Sequence, residues 1–453
     1  MHILKVIADP LGKIRWIDAV ILLLGAVMIN EFYVALAMGS FDPAIFSQHT
    51  IDYATHNNAP NEWNQGLIWL AKHSVHFVPL LCYFSAISTV LLMLLIVRGL
   101  VALGVSIFFF ILWVTQWAYP GAWIFEFLFP ALFGLCAALS TLPELIHPDN
   151  WMQRLLGPRF FGKLKFRYRF LIVIISSLAL WYVINLSLKP HYLTVAWHSA
   201  LTFGILFLLL ACFDYIRPKE HIKNYKKIGL FYRLEIFPWL DLMTIIVGAM
   251  LIIQVYSDIA VHWFTVKGYS HLISTYIEGT NAPEWMKYIL EWTRQHAATM
   301  MPIQFAFESI AAILFVTFVL RFPFVLLIAI FFTILMYTEF GVPARWPAHP
   351  NDPHTWTWEL MFVTCVTYFI GLNQFAAFMQ AKTWKARLLG NRFFGDLAFR
   401  WRVVIAMIGG LSLGLAGIAT HVFGAEYRMI SLAAGITFFL LLLILAVIDY
   451  SRP

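Results

Sequence analysis

The sequence predicts an all-α polytopic membrane protein, with about twelve transmembrane helices in two parallel six-helix repeats. Three observations carry that prediction. First, the 453 residues are 61% hydrophobic and only 12% charged, whereas a soluble chain is about half apolar and about a quarter charged. Too few charges remain to cover a water-facing surface, which excludes a soluble enzyme, a disordered regulator and a disulfide-rich secreted domain. Second, the apolar residues fall into runs of about 20, the length a helix needs to cross a bilayer, and not into the alternating pattern of a strand barrel. Third, the second half of the chain repeats the first.

The runs lie near 18–39, 76–97, 100–118, 121–142, 170–188 and 193–214, then near 238–260, 299–320, 323–340, 355–380, 403–422 and 428–450. Basic residues set their direction. Lys5, Lys13 and Arg15 precede the first run; Arg154, Arg159, Lys163, Lys165, Arg167 and Arg169 follow the fourth. Arg217, Lys219, Lys223, Lys226, Lys227 and Arg233 follow the sixth, and Lys382, Lys385, Arg387, Arg392, Arg400 and Arg402 follow the tenth. Every cluster falls after an even number of crossings, so the positive-inside rule places both termini in the cytoplasm and the chain in the inner membrane. The net charge of +7 belongs to these loops and not to nucleic-acid binding, for which no soluble domain exists.

The duplication is visible residue by residue. Arg154, Leu155, Leu156, Gly157, Pro158, Arg159, Phe160, Phe161 and Gly162 return as Arg387, Leu388, Leu389, Gly390, Asn391, Arg392, Phe393, Phe394 and Gly395. Asp214, Tyr215, Arg217 and Pro218 return as Asp449, Tyr450, Arg452 and Pro453, and Trp16 and Asp18 return as Trp239 and Asp241. Such ordered matches define a repeat. The first repeat is read as 1–218 and the second as 237–453, joined by a basic cytoplasmic linker at 219–236. An even number of helices per repeat gives both the same orientation, related by an axis near the membrane normal. The basic Arg/Phe/Gly segments are read as anchors to anionic lipid. Residues 40–75 and 261–298 are too polar to span and are read as outer caps, each a loop plus one interfacial helix near 62–72 and 284–295.

Ionisable groups inside a bilayer are costly and mark function by default. Aligning the halves pairs Glu31 with Gln254, Gln116 with Glu339, Glu126 with Glu359, and Ser85 with Glu308, all in the outer half of the membrane. Glu308 is the deepest. A carboxyl group in an apolar setting can exchange protons near neutral pH, so Glu308, Glu339, Glu359, Glu126 and Glu31 are the candidate proton-handling groups. Interhelical hydrogen bonding is the competing role for each. Trp123 and Trp356 each stand three residues before a repeated Glu, on the same helix face, where a flat ring could stack; an interfacial aromatic belt is the stronger reading of the two. Gln116, Gln254 and the repeated pair His73 and His296 complete the candidate ligand-binding set. The four cysteines stand singly, with no zinc, iron–sulfur or dithiol spacing, so no intrinsic metal site is expected.

One family pattern is clearest in the second half. Asn281, Ala282, Pro283, Glu284 and Trp285 precede Pro302 and Glu308 in an apolar helix that ends at Arg321. A short-loop helix, a proline-rich outer loop and Trp356, Thr357, Trp358 and Glu359 follow. In this the chain resembles the DoxX/DoxD-like membrane family, in two fused copies, over roughly 16–142 and 239–380. The resemblance implies a four-helix core in each copy and a role as membrane subunit of a thiosulfate:quinone oxidoreductase. Quinone would be the cofactor, and further membrane or periplasmic subunits the partners. Ser85 departs from the pattern, standing where the first copy would carry its Glu. Two other roles remain open at this level: a non-catalytic accessory subunit, and a small-molecule or lipid transporter with a site between the repeats.

Overall fold

The structure, a computed structural model, describes residues 11–12, 14–57, 59–116, 125–146, 151–162, 164–188, 192–217, 234, 237–280, 282–339, 357–419 and 428–452. Within these, the side chains of 125–126, 187, 339, 357–359 and 416–419 also lie outside the description.

Polar and turn-forming residues divide the apolar runs into helices α1 (Trp16–Ala37), α2 (Pro43–His56), α3 (Asn61–Lys72), α4 (Ser74–Met93), α5 (Arg98–Thr115) and α6 (Phe125–Thr141). Two short helices, α7 (Pro143–Ile146) and α8 (Trp151–Leu156), lead to α9 (Phe166–Ser187) and α10 (Leu193–Phe213). The second half contains α11 (Trp239–Ala260), α12 (Val266–Gly279), α13 (Glu284–Gln295), α14 (Ala297–Thr317), α15 (Arg321–Glu339), α16 (Thr357–Gln380), α17 (Trp384–Leu389), α18 (Phe399–Ala419) and α19 (Arg428–Ile448). Among the described residues, eleven helices are long and apolar enough to cross a membrane. The remaining apolar run, near 403–422, falls on α18 and extends beyond the described residues. The chain is an all-α polytopic membrane protein.

Packing divides it into two compact units. One comprises Lys13–Trp239 with a segment ending at Phe362; the other comprises Leu240–Val342 and Val363–Pro453. In the first unit α1 is central, packed on α4, α6 and α10 with Val20, Ile21, Leu24, Met28 and Ile29 buried. The outward face of α4 is apolar as well, with Leu80, Tyr83 and Ile87 exposed. A helix hydrophobic all round belongs in lipid. In the second unit α14 packs on α15 and α19, and α18 pairs with α19.

The polar segments 40–75 and 261–298 hold more helix than the sequence predicts. Each contains two helices, α2 with α3 and α12 with α13, where a loop and one helix are expected. The extra helices are polar, and their start signals are local. Asp42 accepts from the backbone N–H of Ala44 at 2.8 Å with Pro43 following it, and Thr265 accepts from Gly268 N–H at 3.1 Å. Both are N-caps, satisfying amides that the first turn leaves unpaired.

The lipid-anchor reading of the basic segments needs correction at its most prominent residues. Arg169 and Arg402 are 1% exposed, and each is held by an acid across its own half. Arg169 Nη1 lies 2.9 Å from Asp214 Oδ2, and Arg402 Nη1 lies 3.2 Å from Asp449 Oδ2. Asp214 also accepts from the backbone N–H of Phe160 (2.7 Å) and Phe161 (3.1 Å); Asp449 does the same with Phe393 (2.8 Å) and Phe394 (3.1 Å). Arg98 pairs with Asp18 and caps the carbonyls of Leu156 and Pro158, while Arg321 pairs with Asp241 at 3.0 Å and caps Asn391. A buried guanidinium must find both a counter-charge and carbonyl acceptors. These arginines therefore stitch the loops to the helix ends and are not free to grip lipid phosphates.

Candidate functional site

The apolar sequence around Glu308 forces it inward. Phe305, Ala306 and Phe307 precede it and Ile310, Ala311 and Ala312 follow; Ile310 is 49% exposed and Ala311 and Ala312 are buried, so Glu308, 3% exposed, faces protein. One turn earlier on the same face, Gln304 donates its Nε2–H to Glu308 Oε1 at 2.9 Å. Gln304 Oε1 in turn accepts from the Tyr269 hydroxyl of the cap at 2.8 Å. The chain cap phenol, amide, carboxyl is thus built from α12 and α14. Sequence reasoning expects a partner for Glu308 from the helix near 238–260, 323–340 or 355–380. Among the described residues its hydrogen bond comes from its own helix, where Gln304 at i−4 reaches it without crossing a helix interface; the side chains of Glu339 and Glu359 lie outside the description.

Tyr269 is anchored below the cap surface. It is buried with Ile273, Leu290 and Ala297 in one apolar cluster. Burial, and after it the nearby Glu308, pushes its phenol up to about 12, so it remains a protonated donor at neutral pH.

A second acid joins this site from α11. Asp258 is 5% exposed and accepts from Gln254 Nε2 at 2.6 Å, again an i, i+4 contact. It lies within electrostatic reach of Glu308. The halves' alignment passes over Asp258, because its counterpart in the first half is Ala35 and only recurring polar positions stand out. Its signal was its place: an acid four residues after Gln254, near the end of an apolar helix.

The other sequence candidates fare differently. Gln254 belongs to the site through Asp258. Gln116 donates to the Tyr53 hydroxyl at 3.3 Å, and Glu31 is half-buried; both belong to the first unit. His73 and His296 are exposed on the caps; His73 lies tilted against Trp69 with centroids 4.5 Å apart, and His296 stacks on Trp292 at 4.4 Å. Each imidazole Nδ1 is 2.8 Å from the carbonyl oxygen four residues back, which gives both rings a helix-capping position. The side chains of Glu126, Glu339 and Glu359, and residues Trp123 and Trp356, lie outside the described residues. Among the described residues no group of three or more His, Cys, Asp or Glu is placed to hold a metal ion.

The first half lacks this constellation. Phe46, Leu81 and Ser85 stand at the positions of Tyr269, Gln304 and Glu308. Yet an ordinary helix-to-helix contact is kept in both, with the Tyr33 hydroxyl 2.8 Å from Thr202 Oγ1 and the Tyr256 hydroxyl 2.7 Å from Thr437 Oγ1. Scaffold contacts recur while the acid site does not. No protein-family model, curated protein or solved structure matches this chain.

Proposed function

We propose that this chain is the integral membrane subunit of a quinone-linked complex, with Glu308 as its proton-exchanging group. In this proposal both termini lie in the cytoplasm, as the distribution of basic residues supports, and the caps lie on the outer face of the inner membrane. The observation that carries the reading is the unfilled valence of a buried carboxyl: Glu308 Oε2 has no hydrogen-bond partner among the described residues. An orphaned buried polar atom is costly, and intramembrane acids are rarely kept without a task. The resemblance to the DoxX/DoxD-like family supplies the quinone.

The residues fit such a group. Gln304 fixes one carboxyl oxygen and Tyr269 fixes Gln304, so Oε2 is held in one direction while remaining able to give or take a proton. A ring carbonyl oxygen is the kind of acceptor that a protonated Oε2 would satisfy. A bound quinone would supply two-electron, two-proton redox chemistry. The protein's part is to orient it, exclude water and pass the proton through Oε2. Lipid and neighbouring membrane or periplasmic subunits are the partners this role requires.

The test is purification of the full chain in mild detergent, followed by mass spectrometry of extracted small molecules and co-purifying proteins. Quinone together with redox subunits is the expected result, with Glu308→Gln assembling normally and losing quinone turnover. Subunits without quinone would favour the accessory role, and neither would favour transport; either outcome overturns the proposal.

A further inference from the structure

We infer that Asp258 and Glu308 form one binding site for a single monovalent cation, a proton or a sodium ion, held between their carboxyl groups. This rests on the reading of Glu308 as the exchanging group of the proposed site and adds its second member and its ligand.

The helices bring the two acids to one level. Gly248 of α11 packs directly on α14: a Cβ there would stand 2.7 Å from Val316 Cγ2 and 3.0 Å from Phe315 Cβ. At the other end, the cap that follows α11 is tied to α14 through Tyr269 and Gln304. The two helices are therefore antiparallel neighbours. Asp258 lies ten residues along α11 from Gly248, and ten residues back along α14 from Phe315 is Phe305, less than one turn from Glu308.

Both carboxyls are fastened alike. Each accepts one N–H from a glutamine one turn before it on its own helix, Gln254 for Asp258 and Gln304 for Glu308. Those fasteners leave Glu308 Oε2 without a partner, on a side chain that is 3% exposed. Among the described residues no Lys, Arg or His forms an ion pair with either acid. Among the described residues Tyr269 donates to Gln304, and Tyr256, two residues before Asp258 on α11, is bonded to Thr437. The side chain of Glu339, at the end of α15, lies outside the described residues.

Two neighbouring anions in an apolar interior cannot both stand uncompensated. The amide donors offset part of the negative charge, so one positive unit completes the site. The first half, with Ala35 and Ser85 in these positions, has no such charge to neutralise.

The test uses dicyclohexylcarbodiimide, an apolar reagent that adds to protonated carboxyls, on the full chain in detergent near neutral pH. Adducts are located by peptide mass spectrometry. Wild type is expected to be labelled at Glu308 or Asp258. Replacing choline chloride by sodium chloride decides the ion: protection identifies sodium, and unchanged labelling identifies the proton. In Asp258→Asn, labelling of Glu308 should fall about tenfold, the scale on which strongly coupled acids influence each other, while Asp258→Glu should retain it. Size-exclusion elution and thermal melting establish that each variant is folded. Absence of an adduct on both acids, or undiminished labelling of Glu308 in Asp258→Asn, would overturn the shared site. Loss of quinone association with labelling intact would instead overturn the quinone reading and leave the cation site standing.

Discussion

Arg452 grips Phe318 in two ways. Its Nη2–H donates to the Phe318 carbonyl at 3.4 Å, and its guanidinium carbon lies 5.6 Å from the centre of the Phe318 ring. The same Nη2 donates to Thr317 O at 2.6 Å. The link it holds is strained: Phe318, and Leu320 two residues on, have φ of 56° and 54° between α14 and α15. The first half repeats this with Leu95 and Val97, at φ of 50° and 48°, and with Arg217 donating to Leu94 and Leu95. Bulky and β-branched residues avoid positive φ, and such strain persists only where surrounding contacts over-determine it. An arginine at the end of each half thus closes a tight turn more than a hundred residues earlier.

Replacing Arg452 by Ala should therefore loosen the α14–α15 link. Each buried carbonyl left unpaired costs about 1–3 kcal/mol, so a loss of at least about 2 kcal/mol is expected. Arg452→Lys should recover only part of it, since an ammonium cannot fork to two carbonyls as a guanidinium can. Thermal melting in detergent reads both; equal stability of Arg452→Ala and wild type would refute the role.

Asp214→Asn and Asp449→Asn should each be strongly destabilising. Removing one member of a buried pair strands the other charge, at about 3–5 kcal/mol, and here Arg169 or Arg402 would be stranded. The asparagine carbonyl can still meet one backbone N–H, so the loss reports the ion pair chiefly. Expression level and melting midpoint should both fall, and normal behaviour of either variant would show that the cage is dispensable.

Gly157 and Gly395, which are not equivalent positions of the repeat, share a backbone conformation and so offer a comparison. Both have positive φ, 58° and 53°, so alanine at either bears the left-handed penalty of about 1–2 kcal/mol. At Gly157 the new Cβ would also stand 1.9 Å from Arg98 Nη2, whereas at Gly395 nothing lies within 4 Å. Gly157→Ala should thus cost clearly more than Gly395→Ala, because it must push Arg98 off Asp18 and the carbonyls it caps.

These arginines mark where sequence reading stopped short. Lys and Arg beside apolar runs fit the positive-inside rule whether they face water or are buried, so orientation could be argued from them but their burial could not. The missed signal was the fixed interval from the recurring acid to an arginine: Asp18 precedes Arg98 by 80 residues, and Asp241 precedes Arg321 by the same interval. Repetition exposed Asp214 and Asp449 as a motif without revealing that their carboxylates cap backbone amides. For the acid site the logic reverses. Glu308 was legible because an acid in an apolar helix is conspicuous, whereas Asp258 near a helix end, without a counterpart, looked like an ordinary boundary residue.

Tyr269 gives the pH dependence. Its phenol is raised from 10.0 to about 12 by burial first and Glu308 second. In the unfolded chain it would ionise near its ordinary value, so between these limits the native state binds the extra proton. Its contribution to stability is present below about pH 10 and is lost as pH rises through about 12. Ultraviolet titration should show one tyrosine ionising late in wild type and missing in Tyr269→Phe. The same variant should be less stable below pH 10, because Gln304 Oε1 loses its donor, and the difference should shrink as the alkaline limit is reached.

The contrast between the halves supplies the last prediction. Ser85 stands where Glu308 stands in the second half and is likewise buried, at 6% exposure. Its surroundings lack the rest of the site: Leu81 replaces the fastening Gln304, Ala35 replaces Asp258, and Phe46 replaces the phenol donor. Ser85→Glu would therefore place a larger carboxyl among apolar groups with no amide to hold it. Overpacking alone costs about 1–3 kcal/mol, and an unpartnered buried polar group adds roughly 1–3 kcal/mol more. Ser85→Glu alone should sharply reduce yield and melting temperature. Adding Leu81→Gln should recover part of the loss, since glutamine at i−4 can donate to the new carboxyl as Gln304 does to Glu308. Full stability of Ser85→Glu without Leu81→Gln would show that the interior of the first half accepts an acid unaided, and the hydrogen-bonded setting of Glu308 would then lose its claim to be specific.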